Sequence, residues 1–369
     1  MRKSALLWLG LAVTLLVALG LVVLSSASEA NALRYSHGTD AFFFIKRQTI
    51  YLVGGILLAL LVSCFDYHRW RDSEWLTWLF FLAVLGLLVG VFFFRARNGS
   101  HRWIEAGPVN LQPSELAKLL TVIVVAVWMD KAAWRVELIG RGAFAPAALI
   151  GIIALPVLLE PDFGSVMVIG AVGFLLMFVA GTRLWHLVPL LLCGASILAF
   201  KVFTNANRVQ RLFDEGQKYQ LNMALAAMAR ADIWGVGLGE SMQKQYYLPE
   251  AHTDFVFAVG AEELGIVFSV GVFVLFVLFF VLSVYIARKA ADRFGRFLVI
   301  GMSFIVFFQA MFNLGVICGA LPTKGMALPF FSYGGTNMLT SFFAVGTIFS
   351  VGIHSYREKR RAMVRKVLV

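Results

Sequence analysis

Charge is what this sequence has least of. Only 14% of its 369 residues are Asp, Glu, Lys or Arg and 60% are hydrophobic, whereas an average soluble domain has about 25% charged and roughly 45–50% apolar residues. That balance excludes a water-soluble globular fold and leaves a polytopic membrane protein. Cysteine is scarce too. Cys64, Cys193 and Cys318 stand far apart, mostly in or beside apolar runs and without CxxC spacing, so neither a disulfide framework nor a thiolate metal site is implied. There is no GxxxxGK[ST] loop and no HExxH pair, which removes two familiar signatures of nucleotide binding and zinc hydrolysis. Acidic residues are outnumbered 21 to 32, for a net charge of +11. The basic excess lies in short loops and in the C-terminal tail between apolar runs. That distribution orients a protein in a bilayer and argues against a nucleic-acid partner.

What the chain does have is long apolar runs, near 6–24, 48–65, 75–94, 116–130, 145–159, 164–181, 187–203, 256–286, 297–319 and 338–354. They predict an all-α bundle of ten transmembrane helices forming a single membrane domain over 1–369, with a long outer loop, 201–255, between spans seven and eight. The first run follows Arg2 and Lys3 as a signal peptide would. At 19 residues it exceeds the roughly 7–15 of a signal h-region, so it is expected to be retained as a helix. The fifth run is short. The eighth is long enough to tilt or to extend beyond the bilayer. Placing both termini in the cytoplasm puts 18 of the 32 Lys and Arg residues inside, including the basic tail 355–369. Six of the 14 outside fall in the long loop, where charge has little say.

The inner connections are short or basic, and the polar inventory lies outside. In the outer segment 95–115, Asn98-Gly99 has the composition of a tight turn. Pro113 suits the first turn of the fourth span and Glu115 suits its dipole. Lys118, three residues on, shares a face with Glu115 inside an apolar run, so the two are expected as a pair lining a polar cavity. In the short turn 160–165, Asp162 is positioned either to cap the next helix or to act in the site. The loop 201–255 carries six basic and six acidic residues. It holds an amphipathic helical stretch at 220–231 and a glycine-rich GVGLGES that has no strand before it. Its glycines are expected to allow a backbone turn close to a ligand or to the bundle. The last outer segment, 321–336, is broken by Pro322, Gly325, Pro329, Gly334 and Gly335 yet apolar and aromatic. It is expected to re-enter the bundle, with Lys324 either facing an anionic ligand or snorkelling. Gln309 and Asn313, four apart on the ninth span, are expected to bond between helices.

Asp254, after His252 and Thr253 and two turns before Glu262 and Glu263, marks where the long loop enters the eighth span. By position it is a helix cap or a catalytic group, with His252 as the competing base or as a loop support. An outer cavity with Asp254 at its mouth and Arg102, Lys118 and Lys324 nearby suits an amphiphilic substrate carrying phosphate. Glycosyl transfer from a lipid pyrophosphate fits, because its leaving group is already good and one base can deprotonate the acceptor.

The motifs RWIEAGPVNLQPSELAK (102–118), EPDFGS (160–165), YLPEAHTDFVFAVGAEELG (247–265) and LPTKGMALPFFSYGG (321–335), in order across most of the chain, resemble the SEDS family of shape, elongation, division and sporulation proteins. KQYYLPEAHTDF and the last motif bring the chain nearer to the division branch than to the elongation branch. The resemblance implies an inverting peptidoglycan glycosyltransferase of the bacterial inner membrane, placed at the division septum. It would polymerise lipid II beside a class B penicillin-binding protein acting as transpeptidase and other divisome membrane proteins. It implies Asp254 as the essential aspartate of the HTDF motif, acting as base or cation ligand, and Arg102, Trp103, Glu115, Lys118, Asp162, His252, Lys324 and Ser332 as substrate-binding residues. A divalent cation, Mg or Mn, belongs to the same expectation, although no ligand set is legible. Phe331 and Thr336 depart from the aliphatic residue and serine common in the family around SYGG. The alternative is a lipid II flippase, which ten spans with broken segments would suit. No internal repeat is apparent, and the polar groups gather on one face.

Overall fold

A backbone buried in hydrocarbon can satisfy its N–H and C=O groups only internally, so apolar runs of this length fold as helices. The protein is described by a computed structural model covering residues 2–35, 39–94, 101–106, 109–204, 215–242, 253–322 and 325–367. The main helices are α1 (Arg2–Tyr35), α2 (Phe43–Cys64), α3 (Glu74–Gly90), α4 (Pro113–Lys131), α5 (Ala145–Leu159), α6 (Phe163–Ala180), α7 (Leu184–Phe203), α8 (Glu215–Arg230), α9 (Val256–Arg288), α10 (Arg293–Ile317) and α11 (Gly335–Val367). Nine of the described helices are long and apolar enough to cross a membrane. The expected span 116–130 is α4, whose charged residues keep it out of that set. Nevertheless α4 is the most enclosed helix, packed on α3, α5, α6, α10 and α11 and buried along most of its length. The ends of the bundle are called inner and outer after the distribution of Lys and Arg.

Among the described residues, the all-α architecture has one exception. Ile104–Ala106 (β1) and Val109–Leu111 (β2) pair antiparallel, with Glu105 opposite Asn110, and β2 lies against α11. The Asn98-Gly99 turn lies outside the described residues. The short fifth run is lengthened by a π-helical turn, Ile139–Phe144, at its inner end. The amphipathic stretch expected at 220–231 is part of α8, which packs on α9 and α10.

The long eighth run is not one continuous helix. α9 is broken at Gly265, whose φ of 78° and ψ of −169° are far from helical, in a region open to glycine and closed to most side chains. A break within a bundle leaves backbone groups unpaired, and they must be paired elsewhere. Here the glycine-rich loop supplies the partners. Val236 N and Gly237 N donate to the carbonyls of Glu262 and Glu263 (3.0 Å each), and Ile266 N donates to Asp232 O (3.2 Å). Gly235 (φ 77°) comes so close that a Cβ there would stand 2.2 Å from Glu263 O. Of the two uses expected for these glycines, the structure assigns them to the bundle.

At the inner end, Asp292 caps α10 by accepting from Gly295 N (3.2 Å). It also receives Tyr67 Oη (2.7 Å) and Arg71 Nη1 (3.2 Å), which ties the α2–α3 connection to α10.

Candidate functional site

The outer end brings three turns together around the start of α9. Asp254 is partly exposed and stands one residue before the cap position, which Phe255 occupies. The cap reading of Asp254 is therefore displaced by one residue. Its backbone carbonyl accepts from Asn313 Nδ2 of α10 (2.9 Å), and the same nitrogen donates to Met326 O (2.7 Å). Gly325 lies directly against the carboxylate, so close that a Cβ would be 2.4 Å from Oδ2. Met326 is buried, and its side chain rests on Gly164, where a Cβ would meet Met326 Cγ at 2.9 Å. Asp254, Gly325–Met326 and Gly164 of the EPDFGS turn thus form one continuous contact.

Asp162 is the centre of the next group. Its Oδ1 accepts from Ser165 N (3.3 Å), which makes it the cap of α6. Its Oδ2 accepts from Ser165 Oγ (2.8 Å), Ser114 Oγ (2.9 Å) and Gln112 Nε2 (3.2 Å). A buried carboxylate with this many donors is a bracing group joining α4 to α6. Gln112 continues the connection, since its backbone N–H donates to Thr336 Oγ1 (3.1 Å), which donates to Asn110 O (3.0 Å). One turn along α11, Thr340 Oγ1 reaches Glu115 Oε2 (3.2 Å). Glu115 and Lys118 form the expected pair, with Nζ 2.6 Å from Oε1 and side chains 8% and 2% exposed. They do so inside the bundle, where Glu115 borders a narrow gap with Gln309, Thr340 and Ser341.

Arg102 uses its guanidinium to hold the carbonyls of Glu160 (3.2 Å from Nε) and Pro161, fixing the turn before Asp162. Trp103 follows, partly exposed, at the entry to β1. The carboxyl of Glu160 is fully buried and receives no hydrogen bond from any described residue. Burial, and then the charge of Asp162, push it up to about 8 against the pull of Arg102. Ser332 is buried in its own turn, its Oγ accepting from Leu328 N (2.7 Å) and its carbonyl from Gln48 Nε2 (3.1 Å). His252 and Lys324 lie outside the described residues.

With this geometry in place, similarity to known proteins becomes informative. The model of the cell cycle protein family FtsW, RodA and SpoVE matches residues 6–357. The chain belongs to this family. Among its relatives, "Probable peptidoglycan glycosyltransferase FtsW" of Coxiella burnetii (strain RSA 493 / Nine Mile phase I) is 37% identical over 355 residues, covering 93% of this chain and 95% of that protein. The protein of the same designation from Thioalkalivibrio sulfidiphilus (strain HL-EbGR7) is 40% identical over 360 residues, covering 94% and 88%. Among solved structures, a chain of a peptidoglycan synthase complex that coordinates polymerization and crosslinking superposes with a TM-score of 0.75 at 28% identity, covering 94% of this chain and 97% of that one. The rod shape determining protein RodA of Thermus thermophilus does so at 0.70 and 28%, covering 94% and 96%.

The sequence pattern assigned no role to Gln48, Gln112, Ser114, Ser165, Thr336 or Thr340, of which Thr336 alone stood out, as a departure from the serine common in the family. The signal for two of them was present: Thr336 and Thr340, four apart at the start of an apolar run, put hydroxyls on one helical face.

Proposed function

We propose that the protein is a peptidoglycan glycosyltransferase that polymerises lipid II into glycan strands on the outer face of the cytoplasmic membrane. The observation that carries this reading is the Asp254 carboxylate, set at an outer helix start against Gly325 and linked through Met326 to the braced Asp162 turn. The names and structures of the relatives support it. In the reaction, the acceptor sugar hydroxyl attacks the anomeric carbon of the donor as the bond from that carbon to the phosphate oxygen breaks. The lipid pyrophosphate leaves with the electron pair, the anomeric centre inverts, and the hydroxyl proton passes to Asp254. Base assistance of this kind is worth about 10²–10⁴-fold.

Among the described residues there is no cluster of three His, Cys, Asp or Glu side chains suited to a metal. One carboxylate completed by substrate phosphate oxygens and water is nevertheless an ordinary set for Mg²⁺. In the alternative to the base role, Asp254 would instead hold such a divalent cation, Mg or Mn, which would neutralise charge on the leaving pyrophosphate. The same reading makes a class B penicillin-binding protein the transpeptidase partner, adds other divisome membrane proteins, and places the protein at the division septum.

The test is reconstitution with purified lipid II and the partner. Asp254→Ala and Asp254→Asn are expected to abolish polymer while leaving a folded protein. Normal glycan from both variants would refute the base role. Lipid translocation by the wild type with no polymer formed would favour a flippase instead.

A further inference from the structure

The Asn313 side chain sits where the two halves of the site meet, 2% exposed. Both oxygens that its Nδ2 meets are main-chain carbonyls, of Asp254 at 2.9 Å and Met326 at 2.7 Å. Carbonyls only accept, so the amide orientation is dictated by its surroundings. Its Oδ1 is buried and receives no hydrogen bond from any described residue. A purely structural amide would be expected to satisfy both ends, and a buried acceptor without a donor costs stability. The donor end therefore accounts for an amide at this position, because its two hydrogens fix two backbone points, one on each segment.

Those two points belong to Asp254 and to the residue after Gly325. Gly325 is the position at which even one carbon would collide with Asp254 Oδ2. The separation between the carboxylate and this loop is thus set on the backbone side by Asn313 and left open on the side-chain side by glycine. We propose that Asn313 is a positioning residue for Asp254, holding the carboxylate and the 325–334 loop in register while touching neither substrate nor the reacting atoms. This rests on the assignment of Asp254 to the chemistry. Misplacing a catalytic group by about 1 Å costs on the order of 10²-fold in rate.

The test compares the full chain with its transpeptidase partner, using purified lipid II as substrate. Asn313→Leu keeps the branched shape and removes both donors; Asn313→Gln keeps the donors. For Asn313→Leu we expect kcat to fall about 10–100-fold while KM for lipid II stays within about threefold and the melting temperature in detergent is little changed. The acid limb of the pH–rate profile should also move, since the carboxylate is displaced rather than lost. Asn313→Gln should recover part of kcat. Wild-type kcat in Asn313→Leu would overturn the proposal. So would a loss of rate that follows the loss of folded protein with an unmoved acid limb, which is the mark of a packing role. Asp254→Ala, run alongside, separates the two layers: full activity in that variant sinks the assignment of Asp254 itself, whereas an inactive Asp254→Ala beside a fully active Asn313→Leu sinks only Asn313.

Discussion

Two acidic side chains at the outer end are buried by different means, and they should respond differently to change. Glu115 is buried against Lys118, and removing one partner of a buried ion pair leaves the other uncompensated, at a typical cost of about 3–5 kcal/mol. Lys118→Met is expected to destabilise the protein by that order in thermal or denaturant unfolding, and the double change with Glu115→Leu to regain most of it. Glu160 has no such partner among the described residues. Its carboxyl is held near 8 against an ordinary value of 4.5, so the folded state retains a proton that the unfolded chain gives up. Its contribution to stability is then complete below about pH 4.5 and is lost as pH rises through about 8. Glu160→Gln should flatten the fall in melting temperature between those limits and leave the variant more stable than the wild type at pH 8, by on the order of 3 kcal/mol. A variant with an unchanged pH profile would count against this account. Sequence reasoning found the Glu115–Lys118 pair because ionisable groups in an apolar run stand out. It passed over Glu160 because a glutamate beside a proline in a turn looks solvent-exposed, and only packing reveals that it is enclosed.

Among the elements, α9 shows how far pattern reading extends. Its hydropathy marked one long span, and composition alone could not distinguish a tilted helix from a broken one. What decides is Gly265 together with Asp232–Gly237, some thirty residues upstream, and no local pattern links the two. The glycine-rich motif was visible; its purpose depended on a pairing distant in sequence. Gly235→Ala would place a methyl 2.2 Å from Glu263 O at a φ of 77°, a strain typically of about 1–3 kcal/mol. The expected result is local release of the 232–241 loop. Hydrogen exchange at the amides of Val236, Gly237, Ile266 and Val267 should quicken about 10-fold or more, while α10 keeps its protection. The hairpin 104–111 is a similar case: three-residue strands are too short to show alternation.

Over the whole molecule, the proposed Asp254 site and the Asp292 contacts lie at opposite ends. Asp254 stands at the outer end, and the inner end holds Asp292 with Tyr67 and Arg71. Asp292→Ala removes a helix cap and two side-chain bonds, so a loss of about 1–3 kcal/mol is expected in unfolding experiments. KM for lipid II should be unchanged, because the site lies at the opposite end; a raised KM would show that the two ends communicate. The apolar runs made the bundle legible from sequence, since hydrocarbon permits few alternatives. The order in which polar groups meet was not legible, because Gln112 to Thr336 and Asn313 to Asp254 are joins between distant stretches.

The Glu115–Lys118 pair bears on biogenesis as well. Because the two charges are three residues apart on one helix, they can neutralise each other as soon as α4 forms, before any neighbour is in place. A lone charge costs about 2.5–3.5 kcal/mol to insert at mid-helix and less toward a helix end, where this pair stands in the first two turns of α4. A self-neutralised α4 enters the bilayer with much of that penalty cancelled, and the remaining helices assemble around a polar axis that is already balanced.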